Sequence, residues 1–203
     1  MCSVSAEPEQ ITSAIPRAAT GSAVDPIALE PVDEVVITTL VDNVYDALLS
    51  GDERVTRAPF SAGKARAPQF GSGSTTVGLM AEHGFSALIS VRHGSTTTTL
   101  LFDTGLSPDA MVTNAERLGL DLFGVQAVIL SHGHFDHAGG LAGLAGGRGR
   151  CSLPMVIHPM IWTRRRMAVP GREPEELPTL SKQRWSARGS RWSNAGNPRC
   201  SST

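Results

Sequence analysis

The stretch Ser131-His132-Gly133-His134-Phe135-Asp136-His137-Ala138-Gly139-Gly140 concentrates three of the six histidines of this 203-residue chain. Imidazole nitrogens suit zinc and similar borderline metals, and a carboxylate adds a charged oxygen ligand. An apolar run at residues 125–130 precedes the stretch and is predicted to be a buried strand. An Ala/Gly/Leu-rich helix is expected to begin near the end of the stretch. A loop after a strand lets these side chains converge at one edge of a sheet. The pattern therefore predicts that a metal is bound by His132, His134, Asp136 and His137.

On both sides of this stretch, strand patterns alternate with helical patterns. Residues 35–41 predict a strand, and residues 85–91 and 96–102 predict a hairpin. A helix is expected to begin at Pro108, with Ser107 as its N-cap, and to be ended by Gly119. Residues 154–158 suggest one more short strand. This alternation predicts an α/β layered architecture.

Other segments carry weaker patterns. A short helix is expected around residues 44–49, and residues 52–78 are expected to form a basic loop, either solvated or approaching an anionic substrate. Residues 1–30 are predicted to be a disordered leader. Residues 181–203 are predicted to be an unstructured basic tail. The tail is either disordered or an out-of-frame stretch that replaces the natural continuation of the chain. Disordered termini are thus expected on both sides of a domain over residues 31–180.

The composition bounds the environment and the partners. The formal net charge of −1 gives no reason to expect binding to nucleic acid or to an anionic membrane. Cys2, Cys151 and Cys200 form no disulfide pattern, which predicts a reducing compartment. No run approaches the roughly 18 apolar residues of a membrane span. We therefore expect a cytoplasmic protein that acts on a small molecule and that could form a homo-oligomer.

Three groups of residues carry a resemblance to a known family. The segment from His132 to His137 matches the HxHxDH motif, so the chain resembles members of the metallo-β-lactamase superfamily. Leu101-Phe102-Asp103-Thr104-Gly105 resembles the Asp-Thr-Gly element that ends a strand in that family. Leu40-Val41-Asp42-Asn43 and Ala81-Glu82-His83-Gly84-Phe85-Ser86 look like the branch described as dihydropterin-type (ribofuranosylaminobenzene phosphate) synthases.

The resemblance has implications for the fold and the chemistry. It implies the N-terminal half of an αβ/βα four-layer sandwich and a site for two divalent metal ions, zinc first, with iron or manganese as alternatives. His132 and His134 would help bind one ion, and Asp136 and His137 the other. It implies hydrolysis of a phosphorylated or pterin-related small molecule by a metal-bound hydroxide.

Further residues receive roles from the same resemblance. Asp136 would act in catalysis by orienting the hydroxide. Asp103 would support the metal ligands from behind, although ordinary turn chemistry explains an aspartate there equally well. His83 and Asn43 are candidates for contact with the substrate.

The second half of the family site is missing from the pattern. The family takes another histidine, a bridging aspartate and a final histidine from later in the fold, but only His158 follows His137 and no aspartate follows Asp136. His158 corresponds to a strand position that is not normally a ligand. Three interpretations remain: an enzyme once the missing half is supplied, a truncated non-catalytic metal-binding remnant, or a half-domain completed by self-association.

Overall fold

A computed structural model describes residues 29–148 and 153–186. By its internal contacts the chain divides after Pro31 into two units. Residues 29–31, the described part of the first unit, form no helix or strand. The second unit begins at Val32 and contains all the helices and strands of the described ranges.

The second unit has a mixed α/β fold, which confirms the predicted fold class. Its strands are β1 (Glu34–Val41), β2 (Lys64–Arg66), β3 (Ser74–Thr76), β4 (Ser86–His93), β5 (Thr96–Phe102), β6 (Ala127–Ile129), β7 (Met155–Val156), β8 (Arg165–Met167) and β9 (Glu175–Leu177). Its helices are α1 (Ala110–Arg117), α2 (Phe135–Ala138), α3 (Leu141–Arg148) and α4 (Lys182–Ser186), with a 3-10 helix at Pro159–Trp162. Within the described ranges, no helix is long and apolar enough to cross a membrane.

The main sheet has five strands in the order β1-β4-β5-β6-β7. β1, β4 and β5 pair antiparallel, whereas β5, β6 and β7 pair parallel. β2 pairs with β3, and β8 with β9, in two separate two-stranded sheets. Because β5 and β6 run in the same direction, their carboxyl ends meet at one edge of the sheet, where functional loops commonly lie.

The two faces of the main sheet differ in burial. Leu88, Leu101 and Val128 belong to a buried apolar cluster that includes Met111 of α1 and Leu141 of α3. The alternate positions point to the other face, as strand geometry requires. There Ile37 is 64% exposed. One sheet with helices packed on one face is the layer arrangement that the resemblance implied for half of the sandwich.

Two predicted helices differ from those observed. Residues 44–49 form no helix, because the Asp46 carboxylate accepts a hydrogen bond from the backbone N–H of Leu48 and closes a turn instead. The helix predicted to begin at Pro108, with Ser107 as its N-cap, begins at Ala110, with Asp109 at its N-cap. The Ser107 hydroxyl is engaged by the Glu82 carboxylate, so it does not cap the helix.

Two segments predicted to lack regular structure contain some. The stretch 52–78, expected to be a loop, includes the β2–β3 hairpin. Residues 182–186 at the start of the expected tail form α4, because the Ser181 hydroxyl accepts a hydrogen bond from the backbone N–H of Arg184 in the first turn. The predictions for residues 1–28 and 187–203 lie outside the described residues.

Candidate metal centre

Asp103 lies at the carboxyl end of β5 and Ser131 lies just after β6, so the parallel pairing brings them together. Asp103 is fully buried. Its φ of 52° is the one positive φ among the described non-glycine residues. Aspartate tolerates this left-handed conformation better than most residues do. The Ser86 hydroxyl donates to the Asp103 carbonyl oxygen at 2.9 Å and helps hold the backbone in it.

The Asp103 carboxylate accepts three hydrogen bonds from residues 131–140, the signature loop that contains the HxHxDH motif. Its Oδ1 accepts from the Ser131 backbone N–H at 2.8 Å, and its Oδ2 accepts from the Ser131 hydroxyl at 2.6 Å and from His137 Nδ1 at 2.8 Å. An ionised carboxylate can only accept, so Nδ1 of His137 carries the proton. The lone pair of His137 is therefore on Nε2, where it is available to a metal.

His132 is oriented in a similar way through one intervening hydroxyl. Nδ1 of His132 lies 2.9 Å from the Ser131 hydroxyl oxygen. On the other side of its ring, Nε2 of His132 lies 3.0 Å from Nδ1 of His134. The two rings meet edge to face, with centroids 4.6 Å apart. His132 and His134 thus form one pair of facing nitrogen donors.

Asp136 and His137 form a second pair. Nε2 of His137 lies 3.6 Å from Oδ2 of Asp136. The same Asp136 oxygen lies 3.4 Å from Nε2 of His83, a side chain that is 73% exposed. The His137 ring centroid is 4.2 Å from that of His132, so the two pairs are adjacent.

The proximity of these rings affects protonation. Burial lowers the pKa of the His132 imidazole, and the neighbouring His137 and His134 lower it further, partly offset by the carboxylates of Asp103 and Asp136. A lowered pKa keeps the imidazole neutral at physiological pH. Since only a neutral imidazole can bind a metal, this environment favours metal binding by His132.

Close backbone approaches hold two other segments against the signature loop. A Cβ at Gly84, where φ is +138°, would lie 2.2 Å from the Asp136 carbonyl oxygen. A Cβ at Gly133 would lie 2.4 Å from the Ile161 carbonyl oxygen in the 3-10 helix. Both glycines are therefore required for packing. Asn43 joins the same edge, because its Oδ1 accepts a hydrogen bond from the Gly84 backbone N–H at 3.2 Å.

The structure brings all the site residues singled out in the sequence to one edge of the sheet, directly or through one neighbour. Two contributors received no role from sequence: Ser131, described above, and Glu82. The Glu82 carboxylate accepts hydrogen bonds from the backbone N–H groups of Leu106 and Ser107 at 2.8 and 2.9 Å. It holds the loop that follows Asp103. A polar residue next to a motif was the available signal in both cases.

His158 has a different position. Its Nδ1 accepts a hydrogen bond from the backbone N–H of Met160 at 3.2 Å and caps the 3-10 helix. Its side chain is part of a helix cap rather than of either donor pair.

The donor set fits a metal in chemistry but falls short in number. Within residues 29–148 and 153–186, no group of three or more His, Cys, Asp or Glu side chains is arranged to hold one ion. The donors come as two pairs, whereas a catalytic zinc normally takes three protein ligands and a water. Each pair therefore lacks at least one ligand.

Comparisons with known proteins identify the family that this chain resembles. The family model described as the metallo-beta-lactamase superfamily matches residues 81–186, slightly more than half of the chain. A 7,8-dihydropterin-6-methyl-4-(beta-D-ribofuranosyl)-aminobenzene-5'-phosphate synthase of Methanocaldococcus jannaschii is 35% identical over 81 residues, which are 40% of this chain and 27% of that protein. An uncharacterized protein of the same organism is 41% identical over 63 residues, 31% of this chain and 23% of that protein. The chain spans about a quarter of the length of these relatives.

Solved structures of metallo-beta-lactamases are also similar over part of the chain. The Rm3 metallo-beta-lactamase is 29% identical, with a TM-score of 0.31, over 41% of this chain and 29% of that one. MEM-A1, a subclass B3 metallo-beta-lactamase from a soil metagenome library, is 21% identical, with a TM-score of 0.34, over 58% of this chain and 42% of that one.

Proposed function

Since the chain belongs to the metallo-beta-lactamase superfamily, we propose that it acts as a metal-dependent hydrolase. The observation that carries this proposal is the pair of nitrogens that face each other at 3.0 Å, Nε2 of His132 and Nδ1 of His134. In a tetrahedral zinc site with Zn–N bonds of about 2.0–2.1 Å, two nitrogens lie roughly 3.3 Å apart. A small opening of this pair would therefore admit an ion.

Each donor pair has its own part in the proposal. His132 and His134 would hold one divalent ion, and Asp136 with Nε2 of His137 would hold a second. Three imidazoles and one carboxylate favour zinc, with iron and manganese as alternatives. When bound there, a divalent ion would lower the pKa of a water towards about 7 and would polarise the scissile group.

The chain's own residues would orient the reactants. Oδ2 of Asp136 would accept a hydrogen bond from the attacking nucleophile and fix its direction, so Asp136 is the catalytic residue in this proposal. His83, within 3.4 Å of that oxygen and largely exposed, would contact the substrate. Asn43 would position His83 through its hydrogen bond to the Gly84 backbone. Asp103 would keep the ligand rings in place from its buried position.

The substrate class rests on similarity to one relative. That relative is named as a synthase of a phosphorylated dihydropterin compound. A phosphorylated or pterin-related small molecule is therefore the substrate class that we propose.

A second candidate function is metal binding without catalysis, or catalysis only after self-association. The observation in its favour is that no described group of three donors surrounds one ion. A second copy could supply the missing ligands, and the exposed apolar face around Ile37 offers a surface for such association.

One set of measurements separates these candidates. The full chain is loaded with zinc, iron or manganese in separate samples, dialysed, and analysed for metal content, oligomeric state and hydrolysis of a panel of phosphoesters. The double variant His132→Ala/His134→Ala removes the first donor pair, and His93→Ala, an exposed histidine at the end of β4, is the matched control.

The outcomes are distinct. Retained zinc with chelator-sensitive turnover, lost in the double variant but kept in His93→Ala, supports the hydrolase. Retained zinc without turnover supports non-catalytic binding, and turnover confined to a dimer supports self-association. Folded protein that retains no zinc, iron or manganese contradicts all three.

A further inference from the structure

We propose that the Ser131 hydroxyl is a positioning group through which the Asp103 carboxylate orients His132, so that this single carboxylate orients one histidine of each donor pair. The inference rests on the proposed metal-binding role of the signature loop. It assigns a function to a residue that precedes the ligands and binds no metal itself.

The single proton of the Ser131 hydroxyl decides in which of its two contacts the hydroxyl donates and in which it accepts. A serine hydroxyl has one proton to donate and two lone pairs. The 2.6 Å contact with Oδ2 of Asp103 uses that proton, because the carboxylate has none to offer. At 2.9 Å from Nδ1 of His132, the same hydroxyl oxygen can then only accept. His132 must therefore carry its proton on Nδ1.

The consequence for His132 is a defined tautomer. With the proton on Nδ1, the lone pair is on Nε2, the atom that faces His134 at 3.0 Å. His137 reaches the same tautomer by a direct hydrogen bond from Nδ1 to Oδ2 of Asp103 at 2.8 Å. One oxygen atom of Asp103 thus prepares His137 directly and His132 through Ser131.

Removal of the hydroxyl affects only one of these two connections. The Ser131 backbone N–H donates to Oδ1 of Asp103, and this bond survives in Ser131→Ala. The direct contact between Asp103 and His137 also survives. The variant is therefore expected to free the His132 ring while the loop and the His137 ring stay in place.

The first test reads the tautomer in the metal-free full chain. A ¹⁵N-resolved imidazole spectrum at pH 8 is expected to show His132 and His137 protonated on Nδ1 in the wild type. In Ser131→Ala, His132 is expected to lose this preference and His137 to keep it. Ser131→Thr, which retains a hydroxyl, is expected to restore the wild-type spectrum.

The second test follows the same rings during a zinc titration. Loss of a hydrogen-bond partner behind a ligand typically lowers metal affinity about 10–100-fold. Ser131→Ala is expected to weaken zinc binding at His132 and His134 by at least about 10-fold on that basis. Binding at Asp136 and His137 should be unchanged, and Ser131→Thr should recover the loss.

Ser86→Ala is the matched control, because it also removes a hydroxyl bound to Asp103, but one that donates to the backbone carbonyl oxygen. It should leave the His132 tautomer unchanged. An unaltered His132 tautomer in Ser131→Ala, or equal changes at His132 and His137, would overturn the positioning role. A wild type that binds no zinc would instead refute the proposed function, while the metal-free spectrum still decides the role of Ser131.

Discussion

Two regions of the molecule differ in where their charged groups lie. In the signature loop (residues 131–140) these groups surround a buried carboxylate, whereas they are exposed to solvent in the segment from the 3-10 helix to β9. In the loop, polar side chains converge on the buried carboxylate of Asp103, which is fully shielded from solvent. In the later segment, Glu176 pairs with Arg164 and Arg166 at 2.8 Å, and all three side chains are exposed. The later segment contacts the loop through apolar packing at Ile161 instead.

This difference indicates that one region fixes the geometry of the candidate site and the other supports it by packing. Hydrogen bonds in a low-dielectric interior are strong and hold a geometry, whereas exposed ion pairs are screened and contribute little. The candidate donors with a fixed geometry therefore belong to the loop after β6, and the later segment packs against that loop. Four measurements test this contrast.

The largest effect is expected for Asp103→Ala. It leaves the donors of Ser131 and His137 without an acceptor and places alanine at a φ of 52°. We expect the free energy of unfolding to fall by about 4 kcal/mol, measured by urea denaturation. Asp103→Asn tolerates that φ and keeps one acceptor, so it should lose about half as much. A loss no larger than that of a surface substitution would break the contrast.

The next effect is expected for Ile161→Ala, which removes a side chain that is only 2% exposed from beneath the loop. A cavity of this kind costs about 3 kcal/mol. Met160→Ala in the same 3-10 helix is the control, since Met160 is 57% exposed. Its effect should stay within about 0.5 kcal/mol. If the free energy of unfolding falls equally in both variants, the later segment does not support the loop by packing.

A smaller effect is expected from acidification of the metal-free chain. The pKa of His132 is lowered in the folded state, first by burial and then by His137 and His134. Below about pH 6.5 the unfolded chain binds the proton more readily, so the free energy of unfolding falls as pH drops and levels off below the folded pKa. His132→Gln should remove this part of the pH dependence in parallel denaturation series. Identical pH profiles for the two proteins would contradict it.

The smallest effect is expected for Glu176→Gln. The carboxylate is exposed, and the Arg166 hydrogen bond foremost lowers its pKa. Exposed pairs of this kind rarely change stability measurably. The thermal unfolding midpoint should match the wild type at low and at high salt. A shift comparable to that of Ile161→Ala would show that the surface pairs also hold the segment in place.

The elements near the signature were the most predictable from sequence. The β4–β5 hairpin and the end of α1 before Gly119, where φ is +68°, follow the predicted patterns because alternation and glycine are strong local signals. The helix at residues 44–49 was predicted wrongly, because the side chain of Asp46 competes for the backbone. The later start of α1 depends on Glu82, 25 residues away from Ser107, and no local pattern contains that contact.

The candidate donors could also be recognised from the sequence by residue type, but their arrangement in space could not. Spacing alone identified His132, His134, Asp136 and His137 as a set. It could not indicate that they stand as two pairs, with particular nitrogens facing each other. Ring orientation depends on what binds the opposite nitrogen, and that partner comes from another strand.

The superfamily, the mixed α/β class and the candidate metal donors could be recognised from the sequence alone, because they depend on local patterns and on the chemistry of the side chains. The hydrogen-bond partners behind the candidate donors depend on the tertiary structure. The parallel pairing of β5 with β6 brings Asp103 to Ser131 and His137, across 28 and 34 residues of sequence. A tautomer is decided by such a contact, since a proton stays on the nitrogen that has an acceptor within reach.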